Sequence, residues 1–581
     1  MRFLLTALGA LVACSAAEPV LIAPASQDSE PAATATDRPV RQYVAPSTWR
    51  QLPAVDRDAD PIAPLAAADI AALAKPLDAK AMTAFLAGCV DRLEARYAAK
   101  AGPGFIAWLA THPELRRDFW LAVSPTFDDI ASAMRVLDDL RLARAKAVER
   151  LPQLAIAVAV VHDSPDALIS ARYACIHGMA ESQFPKPPGP LEVFDWFADE
   201  RRAAAFVFKP NQMSWSMMVH LVDLDVAPDE RQWALTTQAT RRSDIASLYP
   251  LVEYDNAKLT GISRLGSLPY SLANLVAKGG ICGDQAHFAS RVAKSFGVPA
   301  MKVSGEGRYG GMGHAWCGFL TAAKGRPVLE FTGRYQYDYY YTGDIFDPQT
   351  RTMTLDRYVA LGYDGVSLSF AKAQEAAALA RAAKATFATD PATSLALAKE
   401  TVKRNTFCAD GWRMLMAHSV SGTLPRKEAQ GYASRMLKEL AAHPDLTIEG
   451  IVIYLQGIPT GNVDERQKLY AAAYALYAQR PDLQVALRMI QCSELVAAKR
   501  EPDALRTALD TVVRNAKEGT LIMPLVHYVV ETSKAFAAST PTFRLDVVKQ
   551  QLTKAESDFP KQRGDKESPA WSAWRKLVGS L

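Results

Sequence analysis

Residues 278–300 read KGGICGDQAHFASRVAKSFGVPA. Two glycines lead into a cysteine, and Gly297 and Pro299 close the run. Between them Ala286, Ala289, Val292, Ala293 and Phe296 recur at three- and four-residue spacing, which predicts a helix from Cys282 to Phe296 with one face in a core. A cysteine in the first turn of a helix gains from the macrodipole and from unpaired amides, both of which favour its thiolate. Gly279, Gly280 and Gly283 let the backbone approach a substrate carbonyl, and the Cys282 amide is placed to help stabilise an oxyanion. Asp284 works against this, since a nearby carboxylate disfavours a thiolate, unless it bonds the first-turn amides. The competing reading makes Cys282 a small buried core residue.

Downstream, PAMKVSGEGRYGGMGHAWCGFL carries a Gly-rich loop (305–313) into the alternating segment HAWCGFL. TAAKGRP and then VLEF follow, and alternation about a short polar turn predicts an antiparallel hairpin. His314 begins the first strand, 32 residues after Cys282. His314, Trp316, Gly318 and Leu320 share one face and Ala315, Cys317 and Phe319 the other, so Cys317 points away from His314. A turn centred near Ala323 sets Glu330 opposite or diagonal to His314. From there its carboxylate would fix the imidazole tautomer. His287 lies off the face of Cys282 and reads as structural. The Tyr-rich run GRYQYDYYYTGDIFDPQT reads as extended chain and loop, with Tyr335 and Tyr337 as candidates for lining a peptide cleft.

Three blocks, GGICGDQAHFASRVAKSFGVPA, GHAWCGFL and VLEF, resemble the bacterial transglutaminase-like superfamily, which is related in fold to papain. The resemblance spans about residues 265–350, roughly a sixth of the chain. It implies a nucleophile at Cys282, a base at His314 and an orienting acid on the next strand. That family places an Asp about 16 residues after the His; here the position holds Glu330, with Asp338 and Asp344 as alternatives if the register slips.

Around this core the 581-residue chain is too long for one ordinary domain. Lys and Arg number 66 against 62 Asp and Glu, without a basic block, so nucleic-acid binding has no electrostatic footprint. The seven cysteines show no paired C-x-x-C spacing, which argues against structural zinc and against a disulfide framework. No metal or other cofactor is implied, and calcium dependence is not indicated. The opening MRFLLTALGALVACSAAE has the proportions of a secretory signal. Leu11-Val12-Ala13-Cys14 resembles the bacterial lipobox, which implies cleavage before Cys14 and lipidation of its thiol (residues 1–13 being the signal peptide). The alternative is an ordinary signal cleaved near Ala17. Residues 14–60, rich in Ala, Pro, Ser, Thr and Asp, read as a disordered tether. It would reach on the order of 100 Å at about 3.1 Å per residue.

Residues 61–260 read as an N-terminal helical domain, in which Trp108, Phe119 and Trp120 are core anchors. His112, His162, His177 and His220 stand singly, as structural or solvated residues. Residues 261–369 form the core with the site. Residues 370–581 read as a stack of helical hairpins turning at Asp390-Pro391, Pro444-Asp445 and Pro481-Asp482. The spacings of 53 and 37 are unequal, so the region is tetratricopeptide-like without a strict repeat. The expected fold class is α+β, a papain/transglutaminase-like core between two helical regions.

The expected function is that of an exported, lipid-anchored cysteine acyl-transfer enzyme in the cell envelope, facing the periplasm. It would be a protease or amidase, or an amide cross-linking transferase, acting on envelope peptides or proteins. The C-terminal helices offer a surface for a protein partner. The alternative is a catalytically weak peptide-binding scaffold for envelope assembly.

Overall fold

The computed structural model describes residues 78–164, 181–305, 313–323, 326–334, 342–459, 461–563 and 566–581. The signal and tether, Cys14, Cys175, His177, Tyr335, Tyr337 and Asp338 lie outside these residues. The protein is mixed α+β and mostly helical, with one five-stranded antiparallel sheet. Among the described residues no helix is long and apolar enough to cross a membrane.

The sheet comprises β1 (Ala300–Gly305), β2 (His314–Ala323), β3 (Arg326–Thr332), β4 (Asp344–Phe346) and β5 (Met353–Leu355), in the order β3-β2-β1-β4-β5. The expected hairpin is present as β2 and β3. β4 lies within the Tyr-rich run read as extended chain and loop, whereas β1 and β5 were not read as strands from the sequence. The Cys282–Ser295 helix packs on β1 and β2, closed by Gly297 at φ +75°. A Cβ on Gly297 would press on Phe206 and the Phe208 carbonyl, so no other residue fits.

That helix is central to the protein. Ala286, Ala289, Val292, Ala293 and Phe296 are fully buried, as their spacing predicts. Its polar side is buried too, where Arg291 forks onto Asp225 at 2.8 and 2.9 Å and Lys294 Nζ reaches Asp223 at 2.5 Å. Buried charges persist only when paired, and these two pairs tie the helix to the segment that follows the Trp215–Val222 helix.

The N-terminal region is helical as expected, with Phe119 and Trp120 fully buried and Trp108 packed against the core. Trp120 Nε1 donates to Glu94 at 3.0 Å. His162 bonds the Val222 carbonyl through Nε2, His220 is buried, and His287 packs its ring against Tyr270.

In the C-terminal region Pro391, Pro444 and Pro481 each begin a helix, where a missing N–H costs nothing. The packing does not break at 370. One cluster of buried residues runs from Met82 to Leu487, and a second from Val485 to Val578. Tyr358 and Arg413 both bond the buried Glu449, and His443 bonds Asp364 at 2.9 Å, so contacts cross that boundary. The boundary near 261 is crossed by the Arg291 and Lys294 pairs. Periodicity and prolines mark local elements; which elements share a core is settled by contacts distant in sequence.

Candidate active site

Cys282 is the first residue of its helix and is half-buried against the core. Two glycines make this position reachable. Gly279 sits at φ +84°, and a Cβ there would lie 2.5 Å from the Glu253 carbonyl oxygen. A Cβ on Gly280 would lie 2.5 Å from the Asp284 Cβ. Gly280 is held by a bond from its N–H to the Glu253 carbonyl and one from the Asp255 N–H to its own carbonyl. The chain therefore enters the helix in one fixed direction.

Asp284 closes the N-terminus. Its carboxylate accepts from the Ile281 amide at 2.8 Å, from Lys258 Nζ at 2.7 Å and from Tyr270 Oη at 2.9 Å. Lys258 and Asp284 side chains are only 8% and 2% exposed, so the ion pair is shielded from solvent. The carboxylate that would oppose a thiolate is thus neutralised on the spot. The amides of Asp284 and Gln285 both donate to the Ile281 carbonyl. The amides of Cys282 and Gly283 have no hydrogen-bond partner among the described residues. Two free N–H groups beside a half-buried thiol are what an oxyanion requires.

His314 begins β2, the strand on which the Cys282 helix packs, and is 5% exposed. Its ring stacks on Trp316 at 5.9 Å, and its Nε2 lies 2.6 Å from the Gly333 carbonyl oxygen. A carbonyl only accepts, so Nε2 carries the proton and Nδ1 is the nitrogen able to take one. Gly333 has φ +79°, and any Cβ there would overlap the Tyr249 ring. Tyr249 Oη in turn donates to the Ala315 carbonyl at 2.8 Å, bracing both sides of the histidine.

The structure does not bring Glu330 to His314. Glu330 is exposed and pairs with Phe319, five residues along β2 from His314, or about 17 Å at 3.4 Å per residue. Gly305 pairs with His314 and Lys302 with Cys317, so Glu330 shares the face of Phe319 and Cys317, opposite to that of His314. The reason is the turn. Ala323 pairs with Arg326, so the hairpin is centred beyond Ala323 instead of on it, and the odd shift in register reverses every face. Asp344 pairs with Ser304, which pairs with Ala315, so it too lies on the other face. Asp338 is outside the described residues. The acceptor that holds the imidazole is a backbone carbonyl, which no side-chain pattern can announce; Lys258 and Tyr270 were likewise not singled out, each lying far from Asp284 in sequence.

The remaining thiols contrast with Cys282. Burial pushes Cys317 and Cys492 up to about 12 and Cys408 up to about 11, and Cys89 is fully buried. No family model, no curated protein and no solved structure matches the chain.

Proposed function

We propose that the protein is a cysteine acyl-transfer enzyme of transglutaminase-like type, with a papain-like core, in which Cys282 is the nucleophile and His314 the base. The observation that carries this reading is the pair of unpartnered amides at Cys282 and Gly283, on a buried helix packed against the His314 strand. In the reaction Cys282 Sγ bonds to the carbonyl carbon of an amide, and its proton passes to His314 Nδ1. The oxyanion is held by the two amides. The C–N bond breaks as the imidazolium returns that proton to the leaving amine, and a thioester remains. Water or a second amine then attacks, giving hydrolysis or cross-linking. Gly333 takes the orienting role first assigned to Glu330. Export by the N-terminal signal, lipidation at Cys14 and an envelope peptide or protein as substrate complete the proposal.

Alkylation with iodoacetamide at about pH 6, followed by mass mapping, tests it. Cys282 labels first, Cys89, Cys317, Cys408 and Cys492 stay largely unmodified, and His314→Ala slows the labelling of Cys282. Labelling of Cys282 no faster than Cys317 would sink the catalytic reading. It would favour the scaffold instead, which the packing of the helices up to Leu487 onto the core also suits.

A further inference from the structure

At the far end of the Cys282–Ser295 helix, Lys294 lies about 18 Å from Cys282 at 1.5 Å per residue. Near it a groove of about 210 Å³ opens between the Trp215–Val222 helix, the β4–β5 turn and the Asp356–Leu368 helix. Its lining includes His220, Tyr363, Val219, Val359, Asp347 and Thr354. His220 and Tyr363 are 3% and 4% exposed, yet His220 Nδ1 and Tyr363 Oη have no hydrogen-bond partner among the described residues. Unsatisfied buried polar atoms cost free energy, so two of them on residues that line one groove call for an occupant.

The charge in this region selects the occupant. Asp225 is matched by Arg291 and Asp223 by Lys294. Asp347 makes no ion pair with a lysine or arginine among the described residues; one of its oxygens accepts from the Gln349 and Thr350 amides, at 3.0 and 2.8 Å. Burial holds His220 below the usual histidine range, so its ring is neutral near pH 7. The groove therefore offers one uncompensated carboxylate and two polar atoms able to accept. Its volume is smaller than the roughly 300 Å³ of ordinary ligand pockets, which restricts it to a small group.

We propose that this groove binds a primary alkylammonium group, either a free small amine or a lysine side chain. The three N–H donors match the free Asp347 oxygen, Tyr363 Oη and His220 Nδ1, and the alkyl stem lies against Val219 and Val359. An alcohol has a single donor, and a carboxylate carries the wrong charge.

Calorimetric titration of the full chain tests the site with n-butylammonium, Nα-acetyl-lysine amide, butanol and butyrate. Both ammonium ions bind, while the alcohol and the carboxylate do not. The tighter of the two cations identifies the source, free amine or peptide. Asp347→Asn, which keeps the oxygen that accepts the two amides, weakens binding about tenfold or more. Tyr363→Phe weakens it several-fold while leaving the ligand-free melting temperature unchanged or higher, because an unsatisfied hydroxyl is gone. Failure of both cations to bind, equal binding of butanol, or binding insensitive to Asp347→Asn would overturn the proposal. None of these outcomes depends on Cys282 chemistry.

Discussion

Replacing Lys258 by Met isolates the clamp under Cys282. The variant keeps the stem of the side chain and removes the charge, leaving the Asp284 carboxylate with the Ile281 amide and Tyr270 Oη but no cation. The pair is 2.7 Å long and its partners are 8% and 2% exposed, so solvent screening offers little relief. Breaking such a pair from one side costs roughly 3–5 kcal/mol, because a buried charge is left uncompensated. Urea unfolding near pH 7 should show a loss of that order with an unchanged m-value. Adding Asp284→Asn should recover a large part of it, since Asn still accepts from the Ile281 amide and leaves no charge. Labelling of Cys282 by iodoacetamide should slow in the single variant and recover in the double, as an unbalanced carboxylate two residues away opposes the thiolate. A loss below about 1 kcal/mol, the range of a surface ion pair, would refute the account of a shielded clamp.

Glu330→Gln should leave both Cys282 labelling and stability within about 0.5 kcal/mol of the parent, because Glu330 is exposed and faces away from His314. Arg231 is fully buried over the Trp196 ring at 4.9 Å, with Nε, Nη1 and Nη2 lacking hydrogen-bond partners among the described residues; Arg231→Met should stabilise the protein by roughly 1–3 kcal/mol in thermal unfolding. Burial pushes Asp128 up to about 8, against about 3.9 in an unfolded chain. A group raised in this way contributes stability that is full below about pH 4 and is lost as the pH rises through 8. Asp128→Asn should therefore flatten the decline in urea midpoint between those limits, and an unaltered slope would count against it.

The elements of the candidate site were legible where punctuation was local. Gly279-Gly280, Gly297 and Pro299 bracket one helix, and the alternation of HAWCGFL and VLEF marks one hairpin. The hairpin register was not legible, because a turn misplaced by a residue and a half inverts the faces and carries Glu330 away from His314. β4 and β5 have three residues each, too few to show a period, and β1 follows Pro299 with little alternation. The Lys258–Asp284 pair and the carbonyl of Gly333 arise only once segments 26 and 19 residues apart have met.

The β4–β5 turn reaches much further back along the chain. Gln349 Nε2 donates to the Ala122 carbonyl and to the Asp128 carboxylate across 227 and 221 residues, and Arg351 pairs with Asp163 across 188. Neither end of these contacts is rewarded until the other has arrived, so loop-closure entropy must be met first. A chain emerging N-terminus first thus lacks these contacts to its early helices until residue 351 is free. Completion of the core should therefore come late, whereas the C-terminal hairpins, which pair with near neighbours, should close sooner. A ribosome- or channel-bound nascent chain ending near residue 340 should accordingly be protease-sensitive throughout its N-terminal helices, and one extended past the Asp356–Leu368 helix should become resistant in a single step.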